Sequence, residues 1–341
     1  MKIEDIIAQL ESQSDLSHQE MFGIFEAIMS GDLHDEQIQQ FLLAMNTKGP
    51  SLAEITVAAQ VMRDRALKFD LGDGSHIDTC GTGGTGIYTF NCSTASAIVA
   101  AAGGAQVTKH GNKAVSSKSG SADFLIECGA SIDHDRDKLS QIIDKVGFIF
   151  LFAPLHHQSM RHVMAARQQI KQKTIFNLLG PHTNPCSARR QIIGVYAKNL
   201  VQVFAKVAKA LDMEHVLVVH GADGVDEISI TASTQISELR DGEIIQYEIH
   251  PQDYGLTLGT LEDIYAESPL RSSQLVQEAF SGTESAVQNM IALNAGAGLY
   301  LAGKVNTIAD GVELALYLMN SGKASETLEK YVTLTNNLLP V

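Results

Sequence analysis

The sequence predicts an α/β protein in two parts, a small all-helical domain followed by a large α/β domain with a mostly parallel central sheet. Three observations carry this expectation: helical periodicity with capping boxes over the first seventy residues, short apolar runs alternating with helical stretches from His76 onward, and glycines crowded between positions 72 and 129. At 341 residues the chain has room for about two domains of roughly 150 residues each and for a substantial core.

In the helical part, Met21, Ile24, Phe25, Ile28 and Met29 recur on one face, Ser17 and Glu20 form a capping box ahead of them, and Gly31 supplies the stop. Ser51 with Glu54 opens a further helix whose Ile55, Ala59, Met62 and Ala66 share a face. Beyond it, strands are expected at 76–80, 105–108, 148–152, 191–196 and 215–220, several of them apolar on both sides as parallel strands between helices are. Helices are expected between and after them, for example at 200–211, 283–302 and 308–321. In a sheet of this kind ligands bind outside the carboxyl ends of the strands.

Thirty-nine acidic against twenty-five basic residues give a net charge of −14, which disfavours adhesion to nucleic acid or an anionic membrane. The balance is uneven. Residues 105–190 hold twelve Lys or Arg against six Asp or Glu, so a segment of net +6 sits inside a chain that elsewhere carries −20. Cys80, Cys92, Cys128 and Cys186 form no C-x-x-C pair, which argues against a disulfide framework or a structural zinc site and for a reducing compartment. With no apolar targeting segment and no 18-residue apolar run, a soluble cytoplasmic protein is expected.

Eleven of the 28 glycines fall in positions 72–129. Gly81-Thr82-Gly83-Gly84-Thr85-Gly86 satisfies G-x-G-x-x-G, yet the next helix is delayed to about Ser93, and no Asp or Glu occurs between Asp78 and Asp123 to take ribose hydroxyls. A dinucleotide site is therefore disfavoured, and a P-loop lacks its Lys-Ser or Lys-Thr. A phosphate nest at a helix N-terminus, with donors from Asn91, Ser93 and Thr94, competes with an ordinary glycine turn. The stretch from Lys109 to Ser121 tips the balance, because three lysines and four serines without a carboxylate make a cationic loop suited to several phosphate oxygens. Asp226 and Glu227, following the strand at 215–220, supply hard oxygen ligands of the kind Mg²⁺ shares with substrate phosphates.

The strings Gly81-Thr82-Gly83-Gly84, Asn91-Cys92-Ser93-Thr94, Lys109-His110-Gly111-Asn112, Ser116 to Ser121, Thr174 to Pro181, and His220-Gly221 with Asp226-Glu227 resemble the anthranilate phosphoribosyltransferase family, in the same order along the chain. The resemblance implies transfer of phosphoribose from phosphoribosyl pyrophosphate (PRPP) to the amine of anthranilate in tryptophan biosynthesis. It also implies a nucleoside-phosphorylase-like fold, a helical domain of residues 1–70 joined by helices from about 157–180, a large domain over 71–341, and a homodimer built through the helical domain.

By position, the resemblance places PRPP on Gly81, Gly84, Thr85, Thr89, Asn91, Cys92, Ser93, Thr94, Lys109, His110, Gly111, Asn112, Lys113, Ala114, Val115, Ser116, Ser117 and Ser121. It places anthranilate on Gly81, Asn112 and Arg167, and two Mg²⁺ ions on Asp226 and Glu227, with Ser93 touching one. Arg167 suits its part, since a guanidinium fork can hold a planar carboxylate bidentately. The sequence departs from the family at Thr85, where an Asp is usual, and at Gln158, Lys173 and His182, which replace Pro, Arg and Leu.

Cleavage of the PRPP C1–oxygen bond passes through an oxocarbenium-like state, so stabilising the leaving pyrophosphate and holding the amine are the main tasks, with no covalent nucleophile. His110 is expected to be a positioning or weak proton-accepting group, and His156, His157 and His162 to make packing or polar contacts. Two alternatives stand beside this reading. One is a pyrimidine-nucleoside-phosphorylase-like enzyme; the other is a catalytically weakened relative, raised by Thr85, that binds nucleotides or nucleic acid.

Overall fold

The computed structural model describes residues 2–72, 76–114 and 118–337. Helices α1 (Ile3–Glu11), α2 (His18–Ser30), α3 (Asp35–Lys48) and α4 (Leu52–Arg65) open the chain. Both expected capping boxes form: the Ser17 hydroxyl accepts from the Glu20 N–H while Glu20 accepts from the Ser17 N–H, and Ser51 and Glu54 do the same. Gly31 ends α2 at φ +81°, where a Cβ would run into the His162 ring. Glu54, fully buried, also accepts from the Leu16 N–H and pairs with Lys48, so one carboxylate fastens the start of α2 to α3 and α4.

The rest of the chain alternates. In order come β1 (Ile77–Asp78), α5 (Cys92–Ala102), β2 (Val107–Gly111), α6 (Ser121–Glu127), α7 (Arg136–Val146), β3 (Phe148–Phe152), α8 (Ala153–His156), α9 (Arg161–Ile170), α10 (Phe176–Leu179), β4 (Arg190–Gly194), α11 (Leu200–Ala210), β5 (His215–Gly221), β6 (Thr234–Arg240) and β7 (Glu243–Ile249). Helices α12 (Pro269–Phe280), α13 (Ala286–Leu301), α14 (Ile308–Asn320) and α15 (Lys323–Asn337) follow. One seven-stranded sheet has the order β3-β2-β1-β4-β5-β6-β7, parallel through β5 and antiparallel at β6 and β7.

Two apolar cores flank this sheet. One packs α5, α13 and the inner faces of β2 and β3; the other joins α1–α4 to Val163 and Ala166 of α9, Phe176 and Leu179 of α10, and Val216 and Val218 of β5. The segment between β3 and β4 thus packs among the N-terminal helices. Where the chain passes between the helical and sheet parts, the Leu67 N–H donates to the His156 carbonyl (2.8 Å), the Phe69 N–H to Pro185 (3.0 Å), and His157 Nε2 to the Thr183 carbonyl (2.9 Å). No helix among the described residues is long and apolar enough to cross a membrane.

Three expectations need correction. Strand β1 is two residues long rather than five, because the backbone turns away at Thr79. Strand β2 begins later and runs on to Gly111, so Lys109 and His110 stand inside the sheet opposite Phe150 and Leu151 and are buried, not looped out. The β6–β7 hairpin was not expected; β7 is an edge strand with charged, solvent-facing residues, so it lacks the apolar run that marks the inner strands.

Candidate active site

Strand order reverses at β1 and β4, the place where open α/β sheets leave a crevice at their carboxyl ends. The glycine turn after β1 fills one side of it. Gly83, Gly84 and Gly86 have φ of +63°, +77° and +79°, conformations that side chains resist, so this turn requires glycine. The turn leans on β4, the Thr82 N–H donating to the Gly194 carbonyl (2.8 Å), and on the acidic loop after β5, the Gly83 N–H donating to Asp226 Oδ2 (2.9 Å).

Helix α5 points its N-terminus into the same crevice. Asn91 caps it and binds outward: its Oδ1 accepts from the hydroxyls of Ser119 (2.7 Å) and Ser272 (2.8 Å). The next turn meets the acidic loop, where the Ser93 N–H donates to Glu227 Oε1 (3.2 Å). Behind Ser93, the Lys109 ammonium donates to the Ser93 hydroxyl (3.2 Å) and to the Thr79 carbonyl and hydroxyl (both 3.1 Å). Loops after β1, β2 and β5 are thereby joined in one network.

Its charge balance is unequal. Three carboxylates, Asp78, Asp226 and Glu227, lie deep in the crevice floor, although Asp226 and Glu227 keep some exposure as residues, and the Lys109 ammonium is buried near them on Thr79 and Ser93. Burial raises all three acids: Asp78 to about 6 against the pull of Lys109, Asp226 upward, and Glu227 to about 8, with Asp226 adding to the last. Acids held this far up are short of positive charge, and a divalent cation on Asp226 and Glu227 would supply it. No cluster of three metal-type ligands exists among the described residues.

Burial also shifts other titratable groups here. It pushes the Cys80 and Cys92 thiols far up, which favours the thiol over the nucleophilic thiolate. His110 is fully buried and its pKa falls well below the ordinary value through burial and its neighbour His157, itself lowered to about 4; the rings are 5.2 Å apart. Neither His110 nitrogen makes a hydrogen bond of normal geometry, although the Gly180 backbone lies near. The Thr94 hydroxyl is likewise buried and unpartnered.

The remaining candidates gather on the rim. Asn112 and Lys113 are exposed beyond β2, Ser121 donates to the Asn112 carbonyl (3.3 Å), and Ala114 is held by Asp123 (2.8 Å). Val115, Ser116 and Ser117 lie outside the described residues. Gly111 tolerates no side chain against Ser121 and Phe150. Thr89 bridges to Tyr265, and Thr85 spends its hydroxyl on Ile87, accepting from its N–H (3.1 Å) and donating to its carbonyl (3.3 Å). Lys118 sits over the Tyr88 ring.

Arg167 reaches in from α9. Its guanidinium is half-buried over the Phe176 ring (5.4 Å), has no acidic partner among the described residues, and is lowered by burial alone. Lys173 extends beside Gly84 with its ammonium 3.5 Å from the Tyr196 ring centre. A hollow of about 420 Å³ lined by Thr257, Asp263, Glu278 and Asn289 shares no residue with this crevice. Nothing in the sequence marks Asp78 or Asn184, which meet here at 2.8 Å, because both read as ordinary polar residues near turns.

An α/β sheet crevice faced by a helical bundle, with a glycine turn and a helix N-terminus opposite paired acids, is the architecture of a two-domain glycosyl transferase. The chain matches the helical bundle domain of a glycosyl transferase family over residues 4–66 and the a/b domain of that family over residues 73–325. It is 44% identical over 340 residues to the anthranilate phosphoribosyltransferase of Halorhodospira halophila, covering 99% of each chain. Among solved structures it is similar to the Thermus thermophilus enzyme of that name, with a TM-score of 0.90, 34% identity and coverage of 97% and 99%. The Saccharomyces cerevisiae enzyme in complex with PRPP and Mg gives 0.90, 26%, and 98% of each chain. The chain belongs to the anthranilate phosphoribosyltransferase family. The relatives favour this family over the phosphorylase-like and nucleic-acid-binding alternatives.

Proposed function

We propose that this chain transfers the 5-phosphoribosyl group of PRPP to the amine of anthranilate, giving N-(5-phosphoribosyl)anthranilate and pyrophosphate in tryptophan biosynthesis. The observation that carries this reading is the juxtaposition of the donor-rich α5 and β2 ends with Asp226 and Glu227, excess acids that would meet a polyanion only through a divalent cation.

In this reading Gly81 to Gly84, Asn91 to Thr94 and the residues from Lys109 to Ser121 hold the phosphates, while Asp226, Glu227 and Ser93 hold Mg²⁺, two ions being our expectation. Bound there, the metal supplies Lewis-acid stabilisation of the pyrophosphate oxygens. As the C1–oxygen bond breaks, its electron pair leaves with the pyrophosphate, and the amine nitrogen forms the new C1–N bond and sheds a proton to solvent. Arg167 would hold the anthranilate carboxylate. Gly81, Asn112 and the neutral His110 would orient its ring and amine, which needs no strong base because it is uncharged at neutral pH.

The protein would work as a cytoplasmic homodimer; the helical part exposes Phe22, Leu43, Leu52 and Met164, an apolar allowance that a second copy would cover. The test is loss of anthranilate fluorescence on adding PRPP and Mg²⁺. Decay that requires all three components is expected, and no decay with active-site quantities of protein would overturn the reading.

A further inference from the structure

The crevice contains a carboxylate that neither the phosphate cradle nor the metal pair uses. Asp78 is wholly buried at the end of β1 and collects hydrogen bonds from four segments. Its Oδ1 accepts from the Thr79 N–H (2.7 Å) and from the His110 N–H in β2 (3.1 Å). Its Oδ2 accepts from Asn184 Nδ2 (2.8 Å), on the crossing between helical and sheet parts, and from Gln191 Nε2 in β4 (3.4 Å). Asn184 Nδ2 also donates to the Thr108 carbonyl (2.7 Å), and Gln191 holds the Pro181 carbonyl (2.7 Å).

An ionised carboxylate is hard to bury, and a core position could be filled by an apolar side chain more cheaply. What an acid offers instead is four directed bonds. The bond from the His110 N–H fixes the strand that carries His110 and leads to Asn112, those from Asn184 and Gln191 fix the 180–191 segment facing it, and the fourth closes on neighbouring Thr79. The phosphate side has further ties of its own, from Lys109 to Ser93 and from Ser93 to Glu227, although Lys109 also donates to Thr79 beside Asp78.

We propose that Asp78, acting through Asn184, is a positioning residue for the acceptor half of the site: it sets His110 and Asn112 against the segment around Gly180 and Pro181, between which the acceptor ring would lie. This rests on the transferase reading above. Asp78→Asn keeps Oδ1 but turns an amide donor toward the donors of Asn184 and Gln191; Asn184→Ala removes the inter-segment bond and leaves the carboxylate.

The experiment is steady-state kinetics of the full-length variants with both substrates varied at saturating Mg²⁺, alongside thermal unfolding. Both variants should raise the anthranilate KM at least about tenfold, with the PRPP KM within about threefold of wild type, as expected for losing one or two directed bonds on one side. Equal rises in both KM values, or a lowered Tm with unchanged KM values, would reduce Asp78 to a structural group and overturn the proposal. Should Asp78→Asn fail to fold, Asn184→Ala decides alone, and an Asn184→Ala protein with wild-type anthranilate KM sinks it. A wild type that consumes no anthranilate would instead overturn the transferase reading, before any variant is compared.

Discussion

The Asp226 carboxylate accepts the Gly83 N–H at 2.9 Å across 143 residues of sequence, binding the acidic loop to the glycine turn before any ligand arrives. That bond leaves Asp226 beside Glu227 in a floor with too little positive charge. Replacing both, Asp226→Asn with Glu227→Gln, should cut turnover by at least about a hundredfold in fluorescence assays while far-ultraviolet circular dichroism stays unchanged. Near wild-type turnover would remove both residues from metal binding.

The same crowding has a pH signature. Burial first, and Asp226 second, move the Glu227 carboxyl from its ordinary 4.5 up to about 8. A carboxyl that holds its proton more tightly folded than unfolded stabilises the fold below the unfolded value, and that contribution is lost as pH rises through the folded value. Without metal, wild type should therefore lose Tm relative to Glu227→Gln between pH 4.5 and about 8, and saturating Mg²⁺ should close the gap at the upper end. A Tm difference that stays flat across this window contradicts the charge deficit.

Gly194 closes β4 directly beneath the acidic loop, where a Cβ would overlap the Asp226 carbonyl. The neighbour is backbone and cannot rotate aside. Gly194→Ala should displace Asp226, costing about 1–3 kcal/mol of stability by overpacking and far more in activity, with the half-saturating Mg²⁺ concentration raised. Unaltered Mg²⁺ dependence would show that the loop's place at β4 does not matter to the metal.

Arg167 lies half-buried over Phe176 with no carboxylate to answer its charge among the described residues. Charge-assisted bonds contribute roughly 1.5–3 kcal/mol, so Arg167→Ala should raise the anthranilate KM about ten- to a hundredfold and spare PRPP. An unchanged anthranilate KM would place this guanidinium outside the acceptor site.

What the sequence made legible was local. The Ser17–Glu20 and Ser51–Glu54 boxes rest on residues three apart, and the strand at Phe148–Phe152 is a continuous apolar run with its ends where the pattern puts them. In sequence Lys109 has the look of a loop cation, because nothing nearby along the chain can satisfy a buried ammonium. Its partners, Thr79 just beyond β1 and Ser93 in α5, lie 30 and 16 residues away. Asp78 was passed over for the same reason, its four donors being spread from Thr79 to Gln191. The antiparallel β6–β7 hairpin went unseen because Glu243–Ile249 is polar enough to pass for a surface loop.

Thr85 offers the sharpest trial of how this chain departs from its family. Its hydroxyl closes a small turn on Ile87, accepting and donating at one residue. An aspartate in its place can take the Ile87 N–H with one oxygen, as Asx turns do, and leave the other for a cation. The floor already holds Asp78, Asp226 and Glu227 around Lys109, so a fourth acid adds like-charge repulsion while no metal is bound. Thr85→Asp should therefore lower Tm in the presence of chelator and recover it with Mg²⁺, and the half-saturating Mg²⁺ concentration with PRPP present should fall several-fold while the anthranilate KM stays put. If Tm falls equally with and without Mg²⁺ and the Mg²⁺ requirement does not move, position 85 faces no metal in this chain, and the threonine is a turn residue only.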